Sequence, residues 1–95
     1  MLENTKEKIN AETAKVYWQE IQSFFASGSV VFVSQQCDLV EVAYQMACNN
    51  SEQIKQWMES GLVCVVSDKQ AAQWHEDQQL LWAVVIKPWI LVQEV

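Results

Sequence analysis

Two copies of one short phrase decide the fold of this chain: SGSVVFVS at residues 27–34 and SGLVCVVS at residues 60–67. The residues before them also correspond, because Ile21 and Phe24 precede the first phrase as Ile54 and Trp57 precede the second. Each matched position has a structural role: an apolar helix face, a glycine that ends the helix, buried strand valines and a serine cap. We interpret the repeat as one structural solution used twice, and not as a duplicated binding motif.

The segment before the first phrase predicts a helix that begins at the N-cap Asn10 and ends at Gly28. Its apolar residues recur at three- and four-residue steps and predict one buried face: Ala14, Tyr17, Trp18, Ile21, Phe24 and Phe25. The polar residues 1–9 are expected to be frayed or loosely helical. Residues 30–33 predict a buried strand, because they are β-branched or aromatic.

The rest of the chain continues this alternation. Asp38 is the expected N-cap of a second helix, the paired asparagines at 49 and 50 interrupt it, and Ser51 is expected to cap a third helix that ends at Gly61. Residues 62–66 predict a strand, and Ser67 with Gln70 predicts a capping box on a fourth helix. Residues 80–86 and 89–92 predict two further strands, so the predicted order is α-β-α-α-β-α-β-β.

This order predicts one domain over residues 1–95, of the α/β class with α+β as the alternative. The sheet is expected to be small and mixed, with helices packed on both faces, because the first three strands are almost continuously apolar. A helical crossover between the first two strands favours a parallel pair. The closing segment predicts a C-terminal β-hairpin, and a single long strand bent at Pro88 is the alternative.

Composition excludes several functional classes. The chain has a net charge of −6, with six lysines and no arginine, so it offers no basic patch for nucleic acid or for an anionic membrane. No apolar run reaches the length of a membrane span, and no secretory signal is expected. Cys37, Cys48 and Cys64 have no paired spacing and are interpreted as free thiols in a reducing compartment. We therefore expect a cytoplasmic protein.

Candidate chemistry is sparse. Cys37 precedes a predicted helix start, which would lower its thiol pKa, but the neighbouring Asp38 carboxylate opposes that effect and a plain loop cysteine is favoured. His75 lies beside Glu76 and Asp77, which is typical of a solvated helix end. No spacing typical of a metal site and no glycine-rich phosphate loop is present, so neither a metal nor a cofactor is predicted.

One location carries a physical argument for ligand binding. If the first two strands are parallel, their carboxyl ends lie side by side, and ligands bind at that edge in open α/β sheets. The residues expected to line such a cleft are Gln35, Gln36, Cys37, Asp38, Ser67, Asp68 and Lys69.

Four segments carry a family resemblance: AETAKVYWQEIQSFFASGSVVFV, DLVEVA, VSDKQAAQW and LWAVVIKPWILVQ. They resemble a family of small acidic bacterial proteins described only as a domain of unknown function, over nearly the whole chain from about Asn10 onward. The segments SD-x-Q-A-x-x-W and PW-[IV]-L-VQ are the most specific parts. The resemblance implies a bacterial, cytoplasmic, single-domain protein, and it transfers no activity and no catalytic residue.

Two functional hypotheses remain. The favoured one is a non-catalytic interaction or regulatory module with a protein partner, including a second copy of itself, because an apolar C-terminal strand at a sheet edge would invite pairing. The alternative is a small-molecule binder or minor enzyme that uses the strand-end cleft.

Overall fold

The computed structural model describes residues 6–95, which form five helices and one five-stranded sheet. The helices are α1 (Lys6–Glu12), α2 (Trp18–Ala26), α3 (Leu39–Ala47), α4 (Ser51–Glu59) and α5 (Asp68–Asp77). The strands are β1 (Ala14–Tyr17), β2 (Val30–Val33), β3 (Val63–Val65), β4 (Leu80–Ile86) and β5 (Trp89–Glu94).

The sheet is mixed and has the strand order β1-β4-β5-β2-β3. Strands β4 and β5 form the predicted antiparallel hairpin, with Val84 opposite Leu91 and Ile86 opposite Trp89. The parallel pair is β2 with β5, and β1 and β3 are the two edge strands. The predicted α/β architecture with a C-terminal hairpin is confirmed, and the alternative of one bent strand is not what the chain adopts.

Helices cover both faces of the sheet, as the apolar strands predicted. On one face, α2 and α5 place Trp18, Ile21, Ala71 and Trp74 on alternate strand residues such as Leu81. The opposite face carries α1, α3 and α4. Its buried core includes Ile9, Leu39, Val42, Val84 and Leu91. Alternation along each strand therefore divides the core into two layers.

The repeated phrase is a repeated helix-to-strand connection. In the first copy, the Gly28 amide donates to the Phe25 carbonyl oxygen and the Ser29 amide to that of Phe24. In the second copy, the Gly61 amide donates to Met58 and the Leu62 amide to Trp57. Both are Schellman-type endings, in which the last helical carbonyls are satisfied by the turn that follows. The structural interpretation of the repeat is confirmed.

Replacing Gly28 or Gly61 with alanine is expected to lower the free energy of unfolding by about 1 kcal/mol. Gly28 has φ +75° and Gly61 has φ +78°, where a side chain strains the backbone, yet an added Cβ would meet no atom within 4 Å at either position. Chemical denaturation measures the change, with Ser27→Ala as the control because Ser27 has an ordinary φ of −86°. Equal stability of parent and glycine variants would contradict the assigned strain.

The predicted helix from Asn10 to Gly28 is wrong, because the segment contains the end of α1, then β1 and α2. Asn10 lies inside α1 and does not cap a helix. The chain leaves α1 at Thr13, whose hydroxyl donates to the Ile9 carbonyl oxygen at 2.8 Å. Strand β1 then pairs antiparallel with β4, with Val16 opposite Leu81. From α2 onward, the predicted order of elements is confirmed.

The start of the chain also contains an anchored residue. Residues 1–5 of the segment expected to be frayed lie outside the described residues. Ile9, near the middle of α1, is 2% exposed and belongs to the core under α3. The short helix α1 is therefore held to the sheet by burial of an isoleucine.

The prediction that the first two strands of the repeat are parallel is also wrong, since β2 and β3 pair antiparallel, with Val33 opposite Val63. The connection contains two helices of nine residues, α3 and α4. One helix carries the chain back along the sheet, which would prepare a parallel strand. The second helix carries it forward again, so β3 starts where β2 ended.

Two of the four predicted N-caps, Asp38 and Ser67, are confirmed. The Asp38 carboxylate accepts from the Val40 amide at 3.0 Å, and Ser67 forms the predicted capping box with Gln70. The N-cap of α4 is Asn50, one residue before the predicted Ser51.

The apolar C-terminal strand does not lie at a sheet edge, since β5 lies between β4 and β2. Pairing with a second copy through this strand, as the sequence predicted, is therefore wrong.

Candidate functional site

The predicted ligand cleft is divided between the two ends of the β2–β3 pair. Because these strands are antiparallel, residues 34–38 follow β2 at one end and residues 67–69 follow β3 at the other. The structure brings together Gln35, Gln36, Cys37 and Asp38, and it separates them from Ser67, Asp68 and Lys69. The shared cleft between two carboxyl ends therefore does not exist in this fold.

The loop after β2 is filled by its own hydrogen bonds. The Gln93 side-chain amide donates to the carbonyl oxygens of Ser34 at 2.9 Å and Cys37 at 2.8 Å. Gln35 donates to the Glu94 carbonyl oxygen at 3.0 Å, and the Gln36 amide donates to the Ser34 hydroxyl oxygen. The carboxyl ends of the parallel strands β2 and β5 are thereby tied to each other. A cleft of about 210 Å³ beside Asp38 and Gln93 is the space left there.

The segment after β3 forms the N-terminus of α5. The Ser67 hydroxyl oxygen accepts from the Gln70 amide at 3.1 Å, and Gln70 Oε1 accepts from the Ser67 amide at 3.0 Å. Asp68 lies in the first turn of α5, where a negative charge is favoured by the helix dipole. This segment therefore has a complete structural explanation as a helix start.

The two candidate reactive side chains are Cys37 and His75. Burial raises the pKa of the Cys37 thiol, which lowers its thiolate fraction at neutral pH. His75 is exposed near the end of α5, and its Nδ1 lies 3.2 Å from Gln22 Oε1. All three cysteines are free thiols, and Cys48 is exposed. In residues 6–95, no group of three or more His, Cys, Asp or Glu side chains lies close enough to hold a metal ion.

A larger opening lies between α4 and the sheet, and we call it the α4 groove. It has a volume of about 560 Å³, within the range of about 300–1,000 Å³ typical of ligand pockets. Among the residues that the structure describes, eleven line the groove; seven of their side chains are apolar, and Lys55 carries the one charge. The residues that contribute the apolar walls are Val31, Met46, Ile54, Met58, Val63, Val65 and Trp89.

The groove holds exposed apolar surface on an otherwise acidic protein. Met58 is 48% exposed, Val65 49% and Trp89 37%. They come from α4, β3 and β5, so three distant parts of the sequence converge there. Exposed apolar side chains that cluster around one concave surface are typical of interaction or ligand sites.

Strand β3 borders the groove and forms an open edge of the sheet. The Ser34 amide donates to the Leu62 carbonyl oxygen at 2.8 Å, and the Val66 amide donates to that of Val30 at 3.1 Å. Because backbone groups alternate along a strand, those of Val63 and Val65 point away from β2. Residues 61–67 contain no charged side chain.

The residues that form the α4 groove and the β3 edge are visible in the sequence, but their arrangement in space is not. Ile54 and Trp57 are predicted to lie on the inward face of this helix and are partly buried, whereas the neighbouring Met58 is exposed in the groove. The uncharged run at residues 61–67 was a signal for an unprotected strand. Its place at the edge depends on β5 inserting between β4 and β2, which no local pattern shows.

The fold and these surfaces define a class: a small three-layer α/β/α domain with a five-stranded mixed sheet, an apolar groove and an uncharged edge strand. The chain belongs to the DUF2288 family, described as a protein of unknown function, whose family model matches residues 4–94. The solution structure of PA1075 from Pseudomonas aeruginosa is similar, with 38% sequence identity and a TM-score of 0.83. That similarity covers 99% of this chain and 90% of the Pseudomonas protein. No curated protein matches the chain.

No helix within residues 6–95 is long and apolar enough to cross a membrane.

Proposed function

We propose that this protein is a non-catalytic interaction module of the bacterial cytoplasm that assembles with a second copy of itself through the edge of β3. A bacterial source is supported by the similar Pseudomonas protein, and a reducing compartment by the three free thiols. A non-catalytic role is supported by the segments after β2 and β3, whose polar groups serve as caps and loop clamps.

The single observation that carries the proposal is the uncharged edge of β3. Natural proteins protect exposed strand edges with charged residues, prolines, covering elements or very short strands, and β3, with three residues, has only the last of these. The other edge strand, β1, follows that rule, since the Lys15 ammonium lies 5.0 Å from the centroid of the Trp82 ring and the Tyr17 amide donates to the Glu20 carboxylate. Strand β3 has no charge, and its Val65 side chain is half exposed.

A second copy fits this edge because the strand is self-complementary. A two-fold axis beside Cys64 would place Val63 of one copy opposite Val65 of the other. Both residues direct their backbone amide and carbonyl groups outward, so each such pair would form two hydrogen bonds. The two sheets would then continue into one, and the apolar side chain of Val65 would be covered on both copies. Repulsion between two chains of net charge −6 is screened beyond about 8–10 Å at physiological salt.

Sedimentation at micromolar concentration is expected to show a dimer for the parent protein and a monomer for Val65→Lys. A lysine on the paired edge would introduce two like charges close to the axis, and lysine is a residue that edges use to prevent pairing. Val85→Lys is the matched control, because Val85 is an equally exposed valine (54%) on β4 and outside the proposed interface. A monomeric parent, or a Val85→Lys variant that dissociates as readily, would refute strand pairing through β3.

The position of the axis has its own test. Cys64 would lie opposite Cys64 of the second copy in a non-hydrogen-bonded pair, with Cα atoms about 4.5 Å apart, within disulfide range. In a Cys37→Ser, Cys48→Ser background, mild oxidation is expected to cross-link the dimer through Cys64. A dimer that remains uncrosslinked would show that the copies associate in a different register.

A further inference from the structure

The α4 groove has the composition of a small-molecule site with one point of charge recognition. Its walls are largely apolar, and none of the acidic residues within 6–95 lines the groove. Among the described residues, the one charged lining side chain is Lys55 of α4. Within residues 6–95, Lys55 forms no ion pair, although Glu52 and Glu59 lie three and four residues away on the same helix.

The groove is accessible and large enough for a ligand. Trp89 and Met58 present partly exposed apolar side chains to it, and Ile54 lies one position before Lys55. Covering such surface contributes about 25 cal/mol per Å² of apolar area removed from water. A lysine on a flexible four-carbon stem can meet an anionic head group at the mouth of the groove while the walls enclose an apolar body.

We propose that the α4 groove binds an amphipathic monocarboxylate, of the fatty-acid or aryl-carboxylate class. The carboxylate pairs with Lys55, and the apolar body lies against Ile54, Met58 and Trp89. Charge complementarity selects this class, because a cationic amphiphile would meet Lys55 with the same sign and a neutral one would leave the ammonium unpaired. Val63 and Val65 of β3 border both the groove and the paired edge. The ligand proposal nevertheless does not rest on self-association, since its contacts are with Lys55, Ile54, Met58 and Trp89, whereas strand pairing is formed by the β3 backbone.

The test is an NMR titration with three probes of equal chain length: decanoate, decanol and decylamine, each below its micelle concentration. Decanoate is expected to shift the Met58 methyl and Trp89 indole resonances, and to bind about fivefold more tightly than decanol, as an exposed ion pair allows. Lys55→Ala is expected to reduce the affinity for decanoate to that for decanol. Lys55→Glu is expected to reverse the preference in favour of decylamine.

Lys69→Ala is the matched control, because Lys69 is an exposed lysine on α5 outside the groove, and its affinity for decanoate should equal that of the parent. The absence of shifts at Met58 and Trp89 would overturn the proposal. Equal binding of decanoate and decanol by the parent would overturn it as well. Sedimentation of the same samples separates the two proposals. A dimer that does not bind decanoate would support strand pairing through β3 and overturn the ligand site in the α4 groove.

Discussion

The Trp74→Ala variant is expected to lose about 3–5 kcal/mol of unfolding free energy, the usual cost of removing a buried tryptophan. Trp74 is 2% exposed and lies at the centre of the layer between α5 and the sheet. Its ring centroid is 5.3 Å from that of Trp18 and 6.0 Å from that of Phe32. Its indole N–H also donates to the Glu94 carboxylate at 3.1 Å. Since small domains have about 5–15 kcal/mol in total, the variant should be largely unfolded or aggregated under mild heating.

Chemical and thermal denaturation of parent and variant measure this loss. Trp74→Phe separates packing from hydrogen bonding, because it keeps an aromatic ring and removes the indole donor, and an intermediate loss is expected. Trp89→Ala is the matched control, since that tryptophan is 37% exposed in the α4 groove. A Trp74→Ala variant with the parent's midpoint would show that α5 does not depend on this side chain to stay on the sheet.

Local signals in the sequence were sufficient to predict the features that depend on a few neighbouring residues. The Schellman-type endings at Gly28 and Gly61, the capping box at Ser67 and the cap at Asp38 are of this kind. Each depends on backbone conformation and on hydrogen bonds within about five residues. The hairpin of β4 and β5 is local in the same sense, because its two strands are joined by a short turn.

Strand β1 could not be predicted because its partner is far away in the chain. The spacing from Ala14 to Phe25 suggests one helical face, yet Tyr17 is 51% exposed and Phe24 47%. Pairing of Val16 with Leu81 gives this short segment a place in the sheet that local periodicity does not show. Tertiary pairing outweighed the local helical pattern.

The candidate sites also depend on distant residues, which local sequence signals do not bring together. The strand-end cleft was inferred from a general rule for parallel strands, and it failed because the paired asparagines at 49 and 50 divide the crossover into two helices. That break is visible in the sequence, whereas the resulting direction of β3 depends on how the two helices pack against the sheet. The α4 groove joins Ile54 and Lys55 to Val65 and Trp89, and only the strand order brings those last two residues to the same helix.

The Leu91→Ala variant is expected to lose about 2–5 kcal/mol, which tests the central position of the C-terminal strand. Leu91 is fully buried in the layer under α1, α3 and α4, and it lies between Val84 of β4 and Val31 of β2. A side chain enclosed by strands on both sides leaves a cavity that its neighbours cannot easily close. If β5 were instead an edge strand, the surroundings could relax around a smaller side chain and the loss would be small.

Two further variants make the comparison decisive. Val85→Ala on the neighbouring strand removes a side chain that is 54% exposed, and its stability should stay within about 0.5 kcal/mol of the parent. Leu91→Met keeps most of the volume and should cost less than about 1.5 kcal/mol, because methionine fills irregular gaps. Denaturant midpoints at constant slope measure all three. If Leu91→Ala lost no more unfolding free energy than Val85→Ala, β5 would not be the strand that joins the hairpin to β2. In that case β3 would no longer be assigned as the open edge for a second copy.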